Sequence, residues 1–168
     1  MLLVRDASEA DAVAIRNLLK SAFPTAAEAD LVDQLSRDGE SVISLVAIED
    51  GAVVGQVLFS RMAVEADGRQ VCALGLAPIA VAPERQGRGI GSRLIQAGLE
   101  RARDIGAHLV FVLGEPEYYG RFGFTAAAAE PFASPYAGPY LQAAVLADGY
   151  RTPTAARADY AAAFAGLG

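Results

Sequence analysis

The chain has 168 residues, of which 53% are hydrophobic and 20% charged, and its formal net charge is −6. This length and composition predict one globular domain over residues 1–168 and exclude an intrinsically disordered chain. The acidic balance argues against a nucleic-acid-binding protein, whose affinity comes from a basic surface, but it leaves room for a small anionic ligand at one local site.

The single cysteine, Cys72, excludes an intramolecular disulfide and a cysteine-rich zinc site, and we expect it to be a small core residue. The N-terminal stretch MLLVRDASEADA lacks the basic and apolar segments of a secretory signal. The longest uncharged run, residues 71–82, is too short to cross a bilayer. We therefore expect a cytoplasmic protein with no metal site and no membrane association.

A strand and two helices are predicted in the N-terminal part of the chain. MLLVRDA is typical of a strand, and Ser8 with Asp11 three residues later predicts the capped start of a helix. A second helix is predicted from Ala26 to Arg37, with Gly39 beyond its end. The apolar face predicted for the first helix comprises Val13, Ile15, Leu18, Leu19 and Phe23.

Two Asp-Gly turns are predicted in the middle of the chain. Asp50-Gly51 joins two β-rich runs, which predicts a hairpin, and Asp67-Gly68 leads into a strand predicted over residues 70–81. A helix is then predicted from Gly89 to Gly106, because apolar and small residues recur there in steps of four. These residues are Ile90, Leu94, Gly98 and Ala102.

The C-terminal third begins with HLVFVLG (108–114), a continuous apolar run that predicts a strand buried on both faces. PFASPYAGPY (131–140) is predicted to be a loop, because proline does not fit a central strand. A last strand is predicted over 140–147 and a terminal helix over 154–165. This order of elements predicts an α/β (α+β) domain with helices on the faces of a sheet.

The stretch PERQGRGIGSRL (83–94) places three glycines and three arginines between a strand and a helix. A P-loop would need Gly-Lys-Ser/Thr, but the only lysine is Lys20, and a dinucleotide fingerprint would need glycine where Ser92 stands. The pattern that does fit the sequence is Gln86-x-x-Gly89-x-Gly91, at the start of a predicted helix. Glycines let backbone N–H groups converge, and a helix N-terminus adds unsatisfied donors. We predict a pyrophosphate site here rather than a flexible turn with solvated arginines.

The segment PIAVAPERQGRGIGSRLI resembles the acyl-CoA-binding motif of the GNAT superfamily of N-acetyltransferases, whose signature is Gln/Arg-x-x-Gly-x-Gly/Ala. YYGRFGF (118–124) resembles the second block of that superfamily, a tyrosine four residues before Gly-Phe. The resemblance extends along almost the entire chain and is greatest to a bacterial branch whose acceptors are mostly unassigned. It implies a mixed, mostly antiparallel central sheet with a splayed strand pair, flanked by helices.

The resemblance also implies transfer of an acetyl group from acetyl-CoA, the cosubstrate, to the amine of a small molecule or peptide by direct attack. A backbone N–H near Ile79 would stabilise the oxyanion. Tyr119 would protonate the departing thiolate, because a tyrosine pKa of about 10 keeps the phenol protonated at neutral pH. The implied cofactor-binding residues are Ile79, Val81, Arg85, Gln86, Gly87, Arg88, Gly89, Ile90, Gly91 and Ser92.

The base that would take the amine proton stays open among Glu28, Glu115, Glu117 and a chain of waters. His108 is expected to be a boundary residue of its strand. Gly114-Glu115-Pro116 stands where many members of the superfamily carry an asparagine that contacts the cofactor arm.

Three functions are consistent with these motifs. The first is the acetyltransferase, the second is a non-catalytic acyl-CoA-binding or sensing module, and the third is a transferase for longer acyl chains. The chain would act as a monomer or a homodimer.

Overall fold

A computed structural model describes residues 1–167 of the chain. These residues fold into two compact units. The first unit comprises Met1–Phe59, Ala77–Gly98 and the C-terminal residues from Ala162, and the second comprises Ser60–Leu76 and Leu99–Ala161. The chain therefore passes between the units several times.

The strands, in chain order, are β1 (Leu2–Asp6), β2 (Ser41–Glu49), β3 (Ala52–Arg61), β4 (Ala63–Ala66), β5 (Arg69–Val71), β6 (Ala73–Val81), β7 (Leu109–Leu113), β8 (Phe132–Ala133), β9 (Leu141–Val145) and β10 (Ala156–Asp159). The α-helices are α1 (Ala12–Ala22), α2 (Ala27–Arg37), α3 (Ile90–Asp104), α4 (Pro116–Gly120) and α5 (Ala126–Ala129). Short 3₁₀ helices cover Glu9–Asp11, Pro83–Arg85 and Ala162–Leu167.

In the first unit the strand order is β1-β2-β3-β6, and β1 pairs antiparallel with β2. The turn between β2 and β3 places Asp50 at φ 52° and Gly51 at φ 76°. Two successive residues with positive φ are the mark of a type I′ hairpin turn. The predicted Asp50-Gly51 hairpin is confirmed.

Helix α1 confirms most of its predicted apolar face. Ile15, Leu18 and Leu19 are buried, whereas Val13 is 73% exposed. The expectation for Val13 was wrong, because a residue two positions before Ile15 lies on nearly the opposite side of a helix. At the start, the Asp11 carboxylate accepts a hydrogen bond from the Ser8 backbone N–H at 2.7 Å, as expected for the capped start.

Two glycines allow the first part of α3 to lie close to β3. A β-carbon added at Gly55 would lie 2.9 Å from Cδ1 of Leu94. A β-carbon added at Gly98 would lie 2.2 Å from Cε1 of Phe59, whose ring is fully buried. Because core packing leaves no such space, this helix and strand require glycine at both positions.

In the second unit the strand order of the larger sheet is β6-β7-β9. Strands β6 and β7 are parallel, with registered pairs only from Ala73–Leu109 to Gly75–Phe111, although β6 continues to Val81. Strand β9 is antiparallel to β7. A smaller sheet of the same unit has the order β5-β4-β10-β8. The fold is thus the expected mixed, mostly antiparallel one with a splayed parallel pair.

Two expectations for the second unit were wrong. The predicted strand over 70–81 is divided at Cys72, which is exposed instead of lying in the core. The segment 154–165 was expected to be a helix, but it contains β10, which pairs antiparallel with β4. The Asp67 carboxylate accepts the backbone N–H groups of Thr154 and Ala155 at 3.1 and 2.9 Å, so this distant contact fixes the chain before β10.

The close contact at Gly98 makes a stability prediction. Gly98→Ala is expected to lower the free energy of unfolding by about 1–3 kcal/mol, because the new methyl group overlaps the Phe59 ring. Helix propensity alone would favour alanine by about 1 kcal/mol, so the sign of the change reports the clash. Denaturant unfolding measures it, with Gly120→Ala in α4 as the control because its β-carbon would meet no atom within 4 Å. A Gly98→Ala protein as stable as its parent would contradict the packing.

Candidate functional site

The turn between β6 and α3 is built on two glycines in the left-handed conformation. Gly87 has φ 80° and Gly89 has φ 81°, and a β-carbon at either position would meet no atom within 4 Å. The requirement for glycine is therefore one of backbone conformation and not of space. Gly91, the third glycine of the motif, lies in the first turn of α3.

The start of α3 presents backbone donors. The Arg93 N–H bonds the Gly89 carbonyl at 3.1 Å, so the amides before it, those of Ile90, Gly91 and Ser92, have no acceptor within the helix. Ile90 has a buried side chain that anchors this end of the helix, whereas Gly89 is exposed. Free amides and the positive end of the helix dipole together suit an anion such as a diphosphate.

Arg85 has a partner within the chain. Its guanidinium forms a salt bridge with the Glu49 carboxylate at the end of β2, and the two side chains are only 25% and 22% exposed. This pair ties the turn to the neighbouring hairpin and offsets the charge that Arg85 was expected to supply to a ligand. Arg88, which is exposed, lies between the two left-handed glycines.

The motif glutamine also holds the turn in place. The Gln86 side-chain amide donates to the Val81 carbonyl at 3.1 Å, which folds the turn back on the end of β6. Along this strand Ala80 is buried, whereas Ile79 and Val81 are half-buried. Ile79 and Val81 therefore contribute only in part to the core.

Tyr119, in α4, is positioned by aromatic and backbone contacts of the second unit. Its ring lies against Gly114, where a β-carbon would be 2.4 Å from Cε2, so the ring requires glycine at that position. The ring also packs edge-on against Tyr118 and Phe124, with centroids 4.9 and 5.9 Å away. Burial, with a smaller contribution from Tyr118, raises the pKa of Tyr119 to about 12, and the phenol is therefore protonated at neutral pH.

These contacts explain what the three residues Gly114-Glu115-Pro116 do at this position. Gly114 makes room for the Tyr119 ring, Glu115 is the residue before α4, and Pro116 begins that helix. The Gly114 carbonyl accepts a hydrogen bond at 3.0 Å from the side-chain amide of Gln142, which is fully buried. Gln142 therefore fixes the backbone beside Tyr119, a role that its place in an apolar strand did not indicate.

Tyr160 is a second residue that sequence reasoning missed, because it falls in the segment expected to be a helix. It follows β10, and its ring lies against Gly75. It also packs edge-on against Tyr136, with ring centroids 5.5 Å apart and an angle of 87°. Burial raises its pKa, with further contributions from Tyr136 and Tyr119.

The remaining candidates lie on different elements of the chain. Glu28 lies in the first turn of α2, and its buried Oε1 has no hydrogen-bond partner among residues 1–167. Glu115 and Glu117 are exposed. His108 is exposed, and its backbone N–H bonds the Cys72 carbonyl at 2.8 Å, as expected for a boundary residue. In the described part of the chain, no group of three or more metal-binding side chains could hold a metal ion.

Comparison with known proteins finds similar sequences and similar structures. Residues 3–127 match the family model described as an acetyltransferase (GNAT) domain. The uncharacterized N-acetyltransferase YjhQ of Escherichia coli K12 is 40% identical over 134 residues, which are 78% of this chain and 74% of that protein. None of the helices within residues 1–167 is long and apolar enough to span a membrane.

Two solved structures are similar over nearly the whole chain. One is a GNAT family N-acetyltransferase (YhbS) from Escherichia coli in complex with CoA, with a TM-score of 0.87, 34% identity, and coverage of 99% of this chain and 93% of that one. The other is a GNAT family acetyltransferase from Brucella melitensis in complex with acetyl-CoA, with a TM-score of 0.80, 32% identity, and 98% coverage of both chains.

The left-handed conformation of Gly89 makes a prediction that separates backbone strain from packing. Gly89→Ala is expected to lower the free energy of unfolding by about 1–2 kcal/mol, because a β-carbon is disfavoured at positive φ. Gly89→Asn should cost less, since asparagine tolerates this conformation better than alanine does. Parallel denaturant unfolding of the two variants provides the comparison. Equal losses, or no loss in Gly89→Ala, would argue against the observed turn.

Proposed function

Because the chain belongs to the GNAT family of acetyltransferases, we propose that it transfers an acetyl group from acetyl-CoA to a primary amine of a small molecule or peptide. The observation that carries the proposal is the start of α3, where two left-handed glycines precede amides with no acceptor in the helix. The CoA and acetyl-CoA complexes of the two similar structures support the same ligand here.

The residues of the turn fit the diphosphate of acetyl-CoA. The amides of the segment 86–92 would donate to its oxygens, and the exposed guanidinium of Arg88 would add charge. Arg85 would act indirectly, because its salt bridge with Glu49 holds the turn in place. The extended pantetheine arm would pair with backbone groups of Ile79 and Val81, because an extended chain of amides can bond to a strand as another strand does.

The chemistry is acyl transfer by direct attack. The amine nitrogen attacks the thioester carbonyl carbon, the new C–N bond forms, and the C–S bond breaks with its electron pair on sulfur. A backbone N–H near Ile79 stabilises the negative charge on the carbonyl oxygen. The proton lost by the amine passes to solvent.

Tyr119 supplies a hydrogen bond to the departing sulfur. Burial raises its pKa to about 12, so the phenol still carries its proton at neutral pH when the C–S bond begins to break. The phenol would then pass this proton to the thiolate as it leaves.

The proposed function is tested by binding and by thiol release. Calorimetric titration with CoA and acetyl-CoA should show binding, and incubation with acetyl-CoA and a panel of small amines and peptides should release free thiol. Gly89→Ala is expected to lose most of the CoA affinity. Gly51→Ala is the matched control, because Gly51 is also left-handed at φ 76°, with open space around it, but lies in the β2–β3 hairpin.

Each result has a distinct meaning. Loss of affinity in Gly89→Ala with retention in Gly51→Ala would place the ligand at the start of α3. Binding without thiol release across the whole panel would favour a non-catalytic acyl-CoA-binding module. A folded protein that binds neither CoA nor acetyl-CoA would refute the proposal.

Replacement of the Tyr119 hydroxyl tests its proposed role. Tyr119→Phe is expected to lower turnover by about 10²-fold or more, the usual contribution of a positioned acid or base. CoA affinity and thermal stability should be retained, because phenylalanine preserves the ring contacts with Gly114 and Phe124. Tyr118→Phe, the neighbouring tyrosine, is the control and should keep its turnover. An unchanged rate in Tyr119→Phe would remove the assigned role.

A further inference from the structure

Gln142 is a polar side chain in the interior of strand β9. Its side chain is fully buried, and the residues beside it in the strand, Leu141, Ala143 and Ala144, are buried and apolar. Burying an amide costs free energy unless its polar atoms are hydrogen-bonded. The Oε1 atom of Gln142 has no hydrogen-bond partner among residues 1–167. An apolar side chain of the same shape would avoid this cost, so core packing alone does not account for the amide.

The amide nitrogen of Gln142 holds the end of the pairing between β7 and β9. Its Nε2 donates to the Gly114 carbonyl at 3.0 Å and to the Tyr140 carbonyl at 3.3 Å. The Gly114 backbone N–H donates to the same Tyr140 carbonyl at 3.0 Å. Because both acceptors are carbonyl oxygens, the nitrogen of the side chain and not Oε1 must face them. Three hydrogen bonds thus fix the backbone just beyond the last registered pair, Leu113–Leu141.

The Gly114–Glu115 peptide leads directly to Tyr119. Gln142 binds the carbonyl of this peptide, and the Glu115 carbonyl accepts the Tyr119 backbone N–H at 3.1 Å. A β-carbon at Gly114 would lie 2.4 Å from Cε2 and 3.5 Å from Cζ of Tyr119, so the ring lies against this backbone near the carbon that carries the hydroxyl. Helix α4 has only five residues, too few to be stable without contacts outside the helix. The place of the Tyr119 ring therefore depends on the backbone that Gln142 fixes.

We propose that Gln142 is a positioning residue for Tyr119 in the proposed acetyl transfer, on which this inference rests. By binding the Gly114 carbonyl, it sets the place of the Tyr119 hydroxyl through the backbone. An acid acts only within hydrogen-bond reach of the atom that takes its proton. A displacement of about 1 Å can cost about 10²-fold in rate. A side chain outside both sequence motifs thus controls the proposed acid.

The rate test is a double-mutant cycle between Gln142→Met and Tyr119→Phe. Methionine has nearly the volume of glutamine but donates no hydrogen bond to a carbonyl. With acetyl-CoA and the amine of the panel that the parent acetylates fastest, Gln142→Met should lower kcat for thiol release by about tenfold and leave KM for acetyl-CoA within about twofold. In the Tyr119→Phe background it should change kcat by less than about twofold, because residues that act as a unit are not additive. A merely structural role would lower kcat equally in both backgrounds.

The place of the ring can also be observed without any ligand. Protein isotopically labelled at the tyrosine ζ carbons gives a separate NMR signal for each tyrosine, and the signal missing in Tyr119→Phe is that of Tyr119. This signal should shift in Gln142→Met. Gln56→Met is the matched control, because Gln56 is also a fully buried glutamine but lies in β3. It should keep the parent's kcat and the parent's Tyr119 signal.

A second variant, Gln142→Asn, covers the case in which Gln142→Met fails to fold, with thermal melting as the check on folding. Its amide is one methylene shorter, which withdraws the donor from the Gly114 carbonyl, so it should show the same loss of kcat and the same shift. If a folded variant kept the parent's kcat and Tyr119 signal, or lost kcat equally in both Tyr119 backgrounds, the inference would be overturned while the proposed function stood. If the folded parent released no thiol with any amine, the proposed function would fail and the inference with it.

Discussion

The short parallel pairing between β6 and β7 is the constraint on which the proposed site depends. Only the pairs from Ala73–Leu109 to Gly75–Phe111 are registered, yet β6 continues to Val81. Past Gly75 the strand's backbone is no longer in register with β7, and β6 ends at the glycine turn that starts α3. One strand thus carries the backbone proposed to meet the pantetheine arm and leads into the turn proposed to hold the diphosphate.

Glycine serves this arrangement in two physically different ways. Gly87 and Gly89 are needed for their left-handed backbone, since open space surrounds them. Gly75 and Gly114 are needed for space, since each lies against a tyrosine ring that a β-carbon would overlap. The first kind exposes the amides at the start of a helix, and the second kind brings aromatic side chains against the strand backbone. In the sequence, the two kinds of position cannot be told apart, because both are simply glycine.

Local signals could be predicted from the sequence, and contacts between distant segments could not. The Asp50-Gly51 turn and the buried run of β7 were predictable, because each is determined by neighbouring residues. The segment 154–165 is rich in alanine and was expected to be helical, but Asp67 and strand β4 hold its first part extended. Because of the same misassignment, Tyr160 was not predicted to pack in the sheet region. The Glu49–Arg85 salt bridge could not be predicted either, because no local motif connects these two residues.

That salt bridge bears on how a chain with a net charge of −6 can hold an anion. Glu49 offsets the charge of Arg85, so at the proposed site the attraction for a diphosphate would come chiefly from Arg88, the free amides and a helix dipole equivalent to about half a charge. Amide donors act over short distances and in fixed directions, unlike a flexible cationic side chain. Their strength depends on a well-defined backbone path, which explains why Gln86 is bonded to the Val81 carbonyl and why the turn is built on glycines. In the proposed site, the backbone path of the turn would thus act together with the charge of Arg88.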